Sequence, residues 1–229
     1  MTLSLYIGNK NYSSWSMRPW VLLKQAGIAF EEVKIRFDSF DSDSNFKQTI
    51  ASVNPVGKVP TLIDDGFTVW DTLAIAEYVA EKFPDKKLWP QDAKARARAR
   101  CICAEMHSGF IALRSACSMN IEADLADIGK LVWRDNPAVR ADVARITTMW
   151  SELLGAQPNN SFLFGDFSIA DAYFAPVCMR LKGYALPVPQ DITLYIKRVC
   201  AAPGVKAWID DALLENDFRD FEEPYRMAR

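Results

Sequence analysis

The hydrophobic period of this chain changes once, at a short segment held between two prolines, Pro84 and Pro90 (PDKKLWP). Before it, apolar residues recur both at the period-two spacing of strands and at helical spacing. After it, only the helical spacing persists. A single switch of that kind limits the chain to an α/β unit followed by an all-helical one. Half of the 229 residues are apolar, enough for a proper core without disulfides or metal as staples.

Residues 3–7 are apolar and stop at Gly8, as a buried strand does. Residues 19–26 have helical spacing and stop at Gly27, the usual residue just past a helix end. Residues 30–37 alternate, with Phe30, Val33 and Ile35 against Glu31, Lys34 and Arg36, which suits a half-buried strand. A polar stretch from Asp38 to Ser44 leads into a short helical segment. Residues 60–63 and 67–70 read as two strands joined by Asp64-Asp65-Gly66, a hairpin turn. Residues 72–83 carry Leu73, Ile75, Ala76, Val79, Ala80 and Phe83 at helical spacing. The order βαβ, helix, ββα describes a thioredoxin-like domain. The expected organisation is that domain over 1–84, a linker over 85–90 and an all-α domain over 91–229. Helices are expected at 93–116, 139–154, 169–181, 192–201 and 205–214, while 120–136 has no clear period.

Composition excludes several classes of function. Lys and Arg number 27 against 29 Asp and Glu, for a net charge of −2, so no lopsided field favours nucleic acid or a membrane surface. Lys94, Arg96, Arg98 and Arg100 step by about 200° on a helix and divide between two faces, the pattern of a solvated helix. The five cysteines (101, 103, 117, 178 and 200) include no CxxC pair, and there is one histidine, so neither a disulfide framework nor a metal site is expected. No signal-peptide pattern opens the chain and no apolar stretch reaches bilayer length, which reads as a cytoplasmic protein.

Three constellations carry chemistry. Ser13-Ser14-Trp15-Ser16-Met17-Arg18-Pro19 lies between the first strand and the first helix. Pro19 is tolerated in the first helical turn, so the helix should begin near Ser14 to Ser16. Serine hydroxyls then stand at a helix N-terminus, where they can serve as plain N-caps or can hydrogen-bond a thiolate and lower its pKa. In Asn54-Pro55-Val56-Gly57-Lys58-Val59-Pro60-Thr61-Leu62, Pro60 opens a strand. A trans proline starting an edge strand is the commoner use. A cis Val59–Pro60 bond would turn the chain and leave the Val59 backbone open to an extended peptide. Asp71-Thr72 opens a helix, either as an N-cap or as a second anion site suited to a carboxylate. Ser168-Ile169-Ala170-Asp171 is a capping box with Asp in the place of Glu, a structural motif in either reading.

With SSWSMR at 13–18, NPVGKVPTL at 54–62, WDTLAIAEYV at 70–79 and FGDFSIADAYFAPV at 164–177, the whole chain resembles the cytosolic glutathione transferase superfamily. The serine motif is similar to the bacterial zeta-like and serine-type tau patterns, although Trp15 stands where the zeta motif has cysteine and Asp71-Thr72 replaces a Gln/Glu-Ser pair. The resemblance implies an enzyme of detoxification with glutathione as co-substrate, working as a homodimer. It implies that Ser13 activates the glutathione sulfur, with Ser14 a lesser contact. It further implies that Val59 beside cis-Pro60 pairs with the cysteinyl backbone and that Asp71 with Thr72 holds the γ-glutamyl end. The first long helix of the second domain would face the glutathione domain across the substrate cleft, placing His107, Phe110 and Arg114 in the substrate pocket for a small hydrophobic electrophile. A buried, hydrogen-bonded role for His107 is the alternative. Arg114, seven residues on, would share its helix face. Two other functions stay open: a zeta-like maleylacetoacetate isomerase, which needs paired cations in the cleft, and a non-catalytic module that binds ligands or partners.

Overall fold

A computed structural model of the chain describes residues 3–225. Its first part runs β1 (Leu3–Ile7), α1 (Ser14–Gln25), β2 (Glu31–Lys34), α2 (Asn45–Val53), β3 (Thr61–Asp64), β4 (Phe67–Trp70) and α3 (Thr72–Lys82). The sheet order is β2-β1-β3-β4, with β1 parallel to β2 and the other two pairings antiparallel. The alternation of β1 divides two cores. Leu3, Leu5 and Ile7 pack with Met17, Val21, Ile75 and Val79 from α1 and α3, while Tyr6 on the other face meets Phe46 and Ile50 of α2.

Local chemistry explains most of the boundaries. α1 ends as expected at Gly27, whose positive φ of 64° lets the Gly27 and Ile28 amides reach back to the Lys24 and Leu23 carbonyls. The hairpin between β3 and β4 turns on Asp65 and Gly66, both at positive φ. α2 starts where Ser44 accepts from the Lys47 amide and the Asp38 carboxylate from those of Asn45 and Phe46. β2 is shorter than the alternation suggested. It is an edge strand with Glu31, Glu32 and Lys34 exposed, and its last bond to β1 is that of the Ile35 amide to the Ile7 carbonyl at 2.8 Å, after which the chain leaves the sheet and Phe37 turns inward.

The second part is helical throughout: α4 (Ala93–Ser108), α5 (Ile111–Ala116), α6 (Ala126–Asp135), α7 (Pro137–Gly155), α8 (Ile169–Gly183), α9 (Gln190–Ala201) and α10 (Pro203–Glu215). The helix expected over 93–116 is interrupted. Gly109 ends α4, Phe110 takes a left-handed φ of 53°, and a Cβ at Gly109 would stand 2.7 Å from the Glu105 carbonyl oxygen. The segment without a clear period contains α6. The stretch expected as a linker is anchored: Leu88 and Trp89 are buried, the Leu88 carbonyl accepts from the Ile169 amide at 2.9 Å, and Trp89 Nε1 donates to Glu77 at 3.1 Å. The basic run is partly used as well, since Arg100 pairs with Glu77 through two bonds of 2.7 and 2.9 Å that tie α4 to α3.

α8 is the central helix, and every residue from Ile169 to Leu181 is buried. Its capping box forms, and Asp171 also accepts from the Leu163 amide and the Tyr195 hydroxyl. α8 and α10 both pack on α1, so the first helix is covered by the helical part. Beyond α10, residues 216–225 return over the first part as a strap. Asp217 receives two bonds from Arg36, of 2.7 and 2.8 Å, and one from Asn9 at 2.9 Å. Tyr12 donates to Glu223 and accepts from the Arg219 amide.

Candidate active site

Between β1 and α1 the serine motif takes up a geometry its sequence only half suggests. Ser13 is the N-cap of α1, yet its hydroxyl does not cap the helix; it lies 2.7 Å from Ser16 Oγ. Ser14 Oγ accepts from Arg180 Nη2 of α8 at 3.2 Å, and Arg180 Nη1 donates to the Cys117 carbonyl at 3.0 Å. Pro19 sits a turn deeper in the helix than expected, and there is a reason it is tolerated. The absent Pro19 N–H would have bonded the Trp15 carbonyl, and that carbonyl is instead met by the Thr72 hydroxyl at 3.4 Å. The proline in one motif thereby frees the acceptor that fixes the threonine of another.

The second motif is organised by Asn54. Its Oδ1 accepts from the Val56 and Gly57 amides at 2.9 and 2.8 Å, and its Nδ2 donates to the Lys58 carbonyl at 2.8 Å. The Val59–Pro60 bond is cis, and β3 starts only at Thr61, so Val59 lies outside the sheet ladder. In the third motif Asp71 holds a φ of 53°, outside the comfortable range of a side-chain-bearing residue, and N-caps α3 by accepting from the Leu73 amide at 2.9 Å. The Thr72 amide occupies the first helical position, where the helix makes no use of it.

Two clefts meet over these motifs. The first, of 440 Å³, is lined by Ser13, Ser14, Phe37, Arg180 and Glu222 among others. The second, of 310 Å³, is lined by Pro60, Trp70, Asp71, Thr72 and His107. Trp15, Lys58, Val59 and Arg114 line both, so the clefts form one trough. Its floor is Trp15, whose ring is flanked by the guanidinium carbons of Arg18 at 4.3 Å and Arg114 at 4.9 Å. Burial pulls the Arg18 guanidinium down to about 9 and that of Arg180 to about 10, so both stay cationic at neutral pH. Burial pushes the Glu222 carboxyl up to about 7 against the pull of Arg180. Lys47 and Lys58 add two further cations to the first cleft.

Of the residues expected in the substrate pocket, only Arg114 lines the cleft of Ser13 and Ser14. His107 faces the second cleft, with Nε2 3.5 Å from Asp71 and Nδ1 2.8 Å from the Tyr173 hydroxyl. Phe110 lines neither; the break after Ser108 turns it into the core. The same break puts Arg114 on α5 rather than on the helix of His107, and it reaches back to the His107 and Gly109 carbonyls at the end of α4. The Tyr12 ring borders the first cleft, but its hydroxyl is engaged by the strap. Sequence reasoning missed Arg180 as a cleft residue, although a lone charge in the apolar run 172–181 was a signal. It missed Trp15 and Glu222 as well; nothing near Glu222 in the sequence points to the cleft.

Among the described residues no group of His, Cys, Asp and Glu side chains is arranged to hold a metal, and no helix is long and apolar enough to cross a membrane. The sulfurs of Cys103 and Cys178 are buried and their thiols are driven well above the ordinary range, while Cys117 is pushed up to about 12. No cysteine lines either cleft, so a thiol nucleophile here has to arrive with a ligand.

A four-stranded mixed sheet with a cis-proline at the mouth of a trough, covered by an all-helical partner, defines a two-domain protein of the thioredoxin-like and helical class. The chain belongs to the glutathione S-transferase family: the model of that family's N-terminal domain matches residues 12–82 and that of its C-terminal domain residues 94–211. Maleylacetoacetate isomerase of Rattus norvegicus is 36% identical over 111 residues, which make up 48% of this chain and 50% of that one. The chain thus matches about half the length of these curated relatives. A crystal structure described as a glutathione transferase homolog from Burkholderia gl BGR1, with bound glutathione, superposes with a TM-score of 0.68. It is 26% identical and covers 94% of this chain and all of that one. A tau class glutathione S-transferase from mango, Mangifera indica, shares the fold with a TM-score of 0.70, at 20% identity over 93% of this chain and 96% of its own.

Proposed function

We propose that the protein is a glutathione transferase: it binds glutathione along the trough, ionises its thiol beside Ser13 and directs the thiolate at a small electrophile in the first cleft. The observation that carries this reading is the continuity of the trough. A hydroxyl pair at a helix N-terminus lies at one end, the backbone of Val59 before cis-Pro60 in the middle, and the N-terminus of α3 at Thr72 at the other. That sequence of groups suits a thiol, a peptide backbone and a carboxylate in turn. The glutathione-bound Burkholderia neighbour supports the same ligand. Ser14 is the secondary contact at the thiol, and Asp71 is the acceptor for the ligand's ammonium group. His107, beside Asp71, belongs to the glutathione end of the trough rather than to the electrophile end.

A second reading is favoured by Arg114 and Arg180, which line the same cleft as the serines. Paired guanidiniums can hold carboxylates, so an electrophile with one or two carboxylates is accommodated. The relatives named as maleylacetoacetate isomerases support this form of the reaction, in which the thiolate adds, the adduct rotates and glutathione is released again. One experiment separates the readings. The protein is loaded on immobilised glutathione, eluted, and assayed with neutral electrophiles and with an unsaturated dicarboxylic ketoacid. Retention with conjugation of neutral electrophiles is the expected result. Catalysed isomerisation without consumption of glutathione selects the second reading, and retention without any turnover selects a non-catalytic binding module. Thr72→Val is expected to release the protein from the column, because it removes the hydroxyl that fixes Thr72 against the Trp15 carbonyl, and a displaced bond to a charged group costs about 1.5–3 kcal/mol. Unchanged affinity in that variant removes Thr72 from the site.

The assembly is proposed to be a homodimer. Phe67, 61% exposed on the outer strand β4, supports a surface that a second copy covers. Light scattering at micromolar concentration is expected to give twice the chain mass, and a monomer mass refutes it.

A further inference from the structure

Arg180 is a buried cation whose bonds go to neutral groups, the Ser14 hydroxyl and the Cys117 carbonyl. Arg114 in the same cleft is held by two carbonyls and the Trp15 ring. Among the described residues neither guanidinium has a carboxylate partner, and a desolvated cation of that kind draws an anion. The carboxylate that lines their cleft is that of Glu222, on the strap. Glu222 is placed by its neighbours rather than by bonds of its own. The Phe221 ring stands edge-on to Phe40 with centroids 5.3 Å apart, and Glu223 is buried and takes the Tyr12 hydroxyl. Between these anchors the Glu222 side chain is partly buried, with no hydrogen bond or ion pair among the described residues.

We propose that Glu222 is a specificity-determining residue: its carboxylate supplies the counter-charge that Arg180 would otherwise take from an electrophile, so the cleft favours uncharged electrophiles over those that carry a carboxylate. This rests on the reading of the first cleft as the electrophile pocket and adds to it what that pocket turns away. Discrimination of this kind works by repulsion. A second carboxylate at Arg180 has to share the cation with the first, which brings like charges close in a poorly solvated place.

The preference changes with pH. Around the cleft Glu222 faces Lys47 of α2, Lys58, Arg114 of α5 and Arg180 of α8, together with the Tyr12 ring. Arg180 favours the ionised Glu222 while burial opposes it, and Glu222 in turn helps Arg180 keep its proton. Burial prevails and holds the Glu222 carboxyl up at about 7, so it is neutral on the acid side of that value and charged above it. With Glu222 protonated, Arg180 has no counter-charge and the carboxylate of an electrophile fits beside it. With Glu222 ionised, that place is taken. The neutral and the carboxylate-bearing electrophile then correspond to two charge states of one side chain.

The test uses probes of constant charge: dinitrobenzoate, its neutral methyl ester, and the chloro derivative of each, from which a thiolate displaces chloride. With S-methylglutathione filling the trough, affinities for the two chlorine-free probes are measured by calorimetry between about pH 6 and about pH 8, in wild type, Glu222→Gln and Glu222→Asp. The ratio of acid to ester affinity is expected to fall about tenfold across that range in wild type. In Glu222→Gln it should stay at its acid-side value, and in Glu222→Asp, which keeps the charge, it should again be low at about pH 8. The kcat/KM ratio of the chloro probes with glutathione should follow, since the ionisation of the thiol is common to both and cancels. If Glu222→Gln does not fold, Glu222→Met, uncharged and of similar length, takes its place. A wild-type ratio that ignores pH, one that falls as far without the carboxylate, or a cleft that binds neither probe overturns the proposal. Expected affinity ratios without turnover of either chloro probe overturn the transferase reading and leave the role of Glu222 standing.

Discussion

The Ser13→Ala variant is expected to lose at least about tenfold in turnover, and the acid limb of its pH–rate profile should rise by about one to two pH units. Ionisation alone does not reach that loss. A thiol of pKa about 8.5 is about 3% thiolate at pH 7. Lowering it by about two units multiplies the thiolate roughly 25-fold, and the weaker nucleophilicity of a less basic sulfur takes back about eightfold. The net gain is about threefold, so the remainder comes from holding the sulfur, where one preorganised donor is worth roughly 10²–10³. Ser13 is buried at the cleft, and its hydroxyl, which donates to Ser16 Oγ at 2.7 Å here, turns to the sulfur when glutathione binds. Ser14→Ala should lose less on both counts. Steady-state kinetics of the two variants across pH decide the matter. A nearly silent Ser13→Ala beside a damaged Ser14→Ala moves the donor one residue along the helix. Tyr12, which borders the same cleft, is no alternative donor, since the strap already holds its hydroxyl.

The largest expected effect on stability lies away from the cleft. Asp171→Ala should cost about 3–5 kcal/mol, because four donors lose their acceptor inside a closed core. Those donors are the Leu163 and Ser168 amides at 3.1 and 2.9 Å and the Tyr195 and Ser168 hydroxyls at 2.9 and 3.1 Å. The thermal midpoint is expected to fall by roughly 6–20 °C, and a urea titration showing a loss under about 1 kcal/mol contradicts the account. The pH dependence has an unusual sign. Burial raises this carboxyl from 3.8 to about 6 in the folded protein. A group with a raised folded value binds its proton more tightly when folded. Its contribution therefore improves as pH falls from about 6 towards 4, and it opposes folding above that window. Relative to Asp171→Asn, the wild-type protein should gain stability across that window on acidification.

What the sequence made legible was local. Gly8, Gly27, the Asp65-Gly66 turn and the capping box each act within a few residues, and each sits where its chemistry demands. The same holds for the helix starts at Thr72 and Ser14; the cis bond before Pro60 was implied by the family resemblance, while its local sequence more commonly takes a trans proline. The errors came where distant segments decide. β2 stops early because its outer side has no neighbour. Phe110 leaves the cleft because Gly109 breaks a helix whose apolar spacing runs on through the break. Pro19 is tolerated in the second turn because a threonine from α3 takes up the carbonyl it leaves open. Arg180 reaches Ser14 only through the packing of α8 on α1, and Glu222 reaches the cleft only because the strap doubles back.

That strap also sets an order of events during synthesis. Tyr12 and Glu223, which bond across the mouth of the cleft, stand 211 positions apart. At about 5–20 residues per second, the serine motif is made roughly 10 to 40 s before the residues that wall it in. A nascent chain that ends before Asp217 can already hold the strands and helices of residues 3–82, with Arg36 still awaiting its carboxylate. Throughout that interval Ser13 and Ser14 lack the Glu222 side of their cleft.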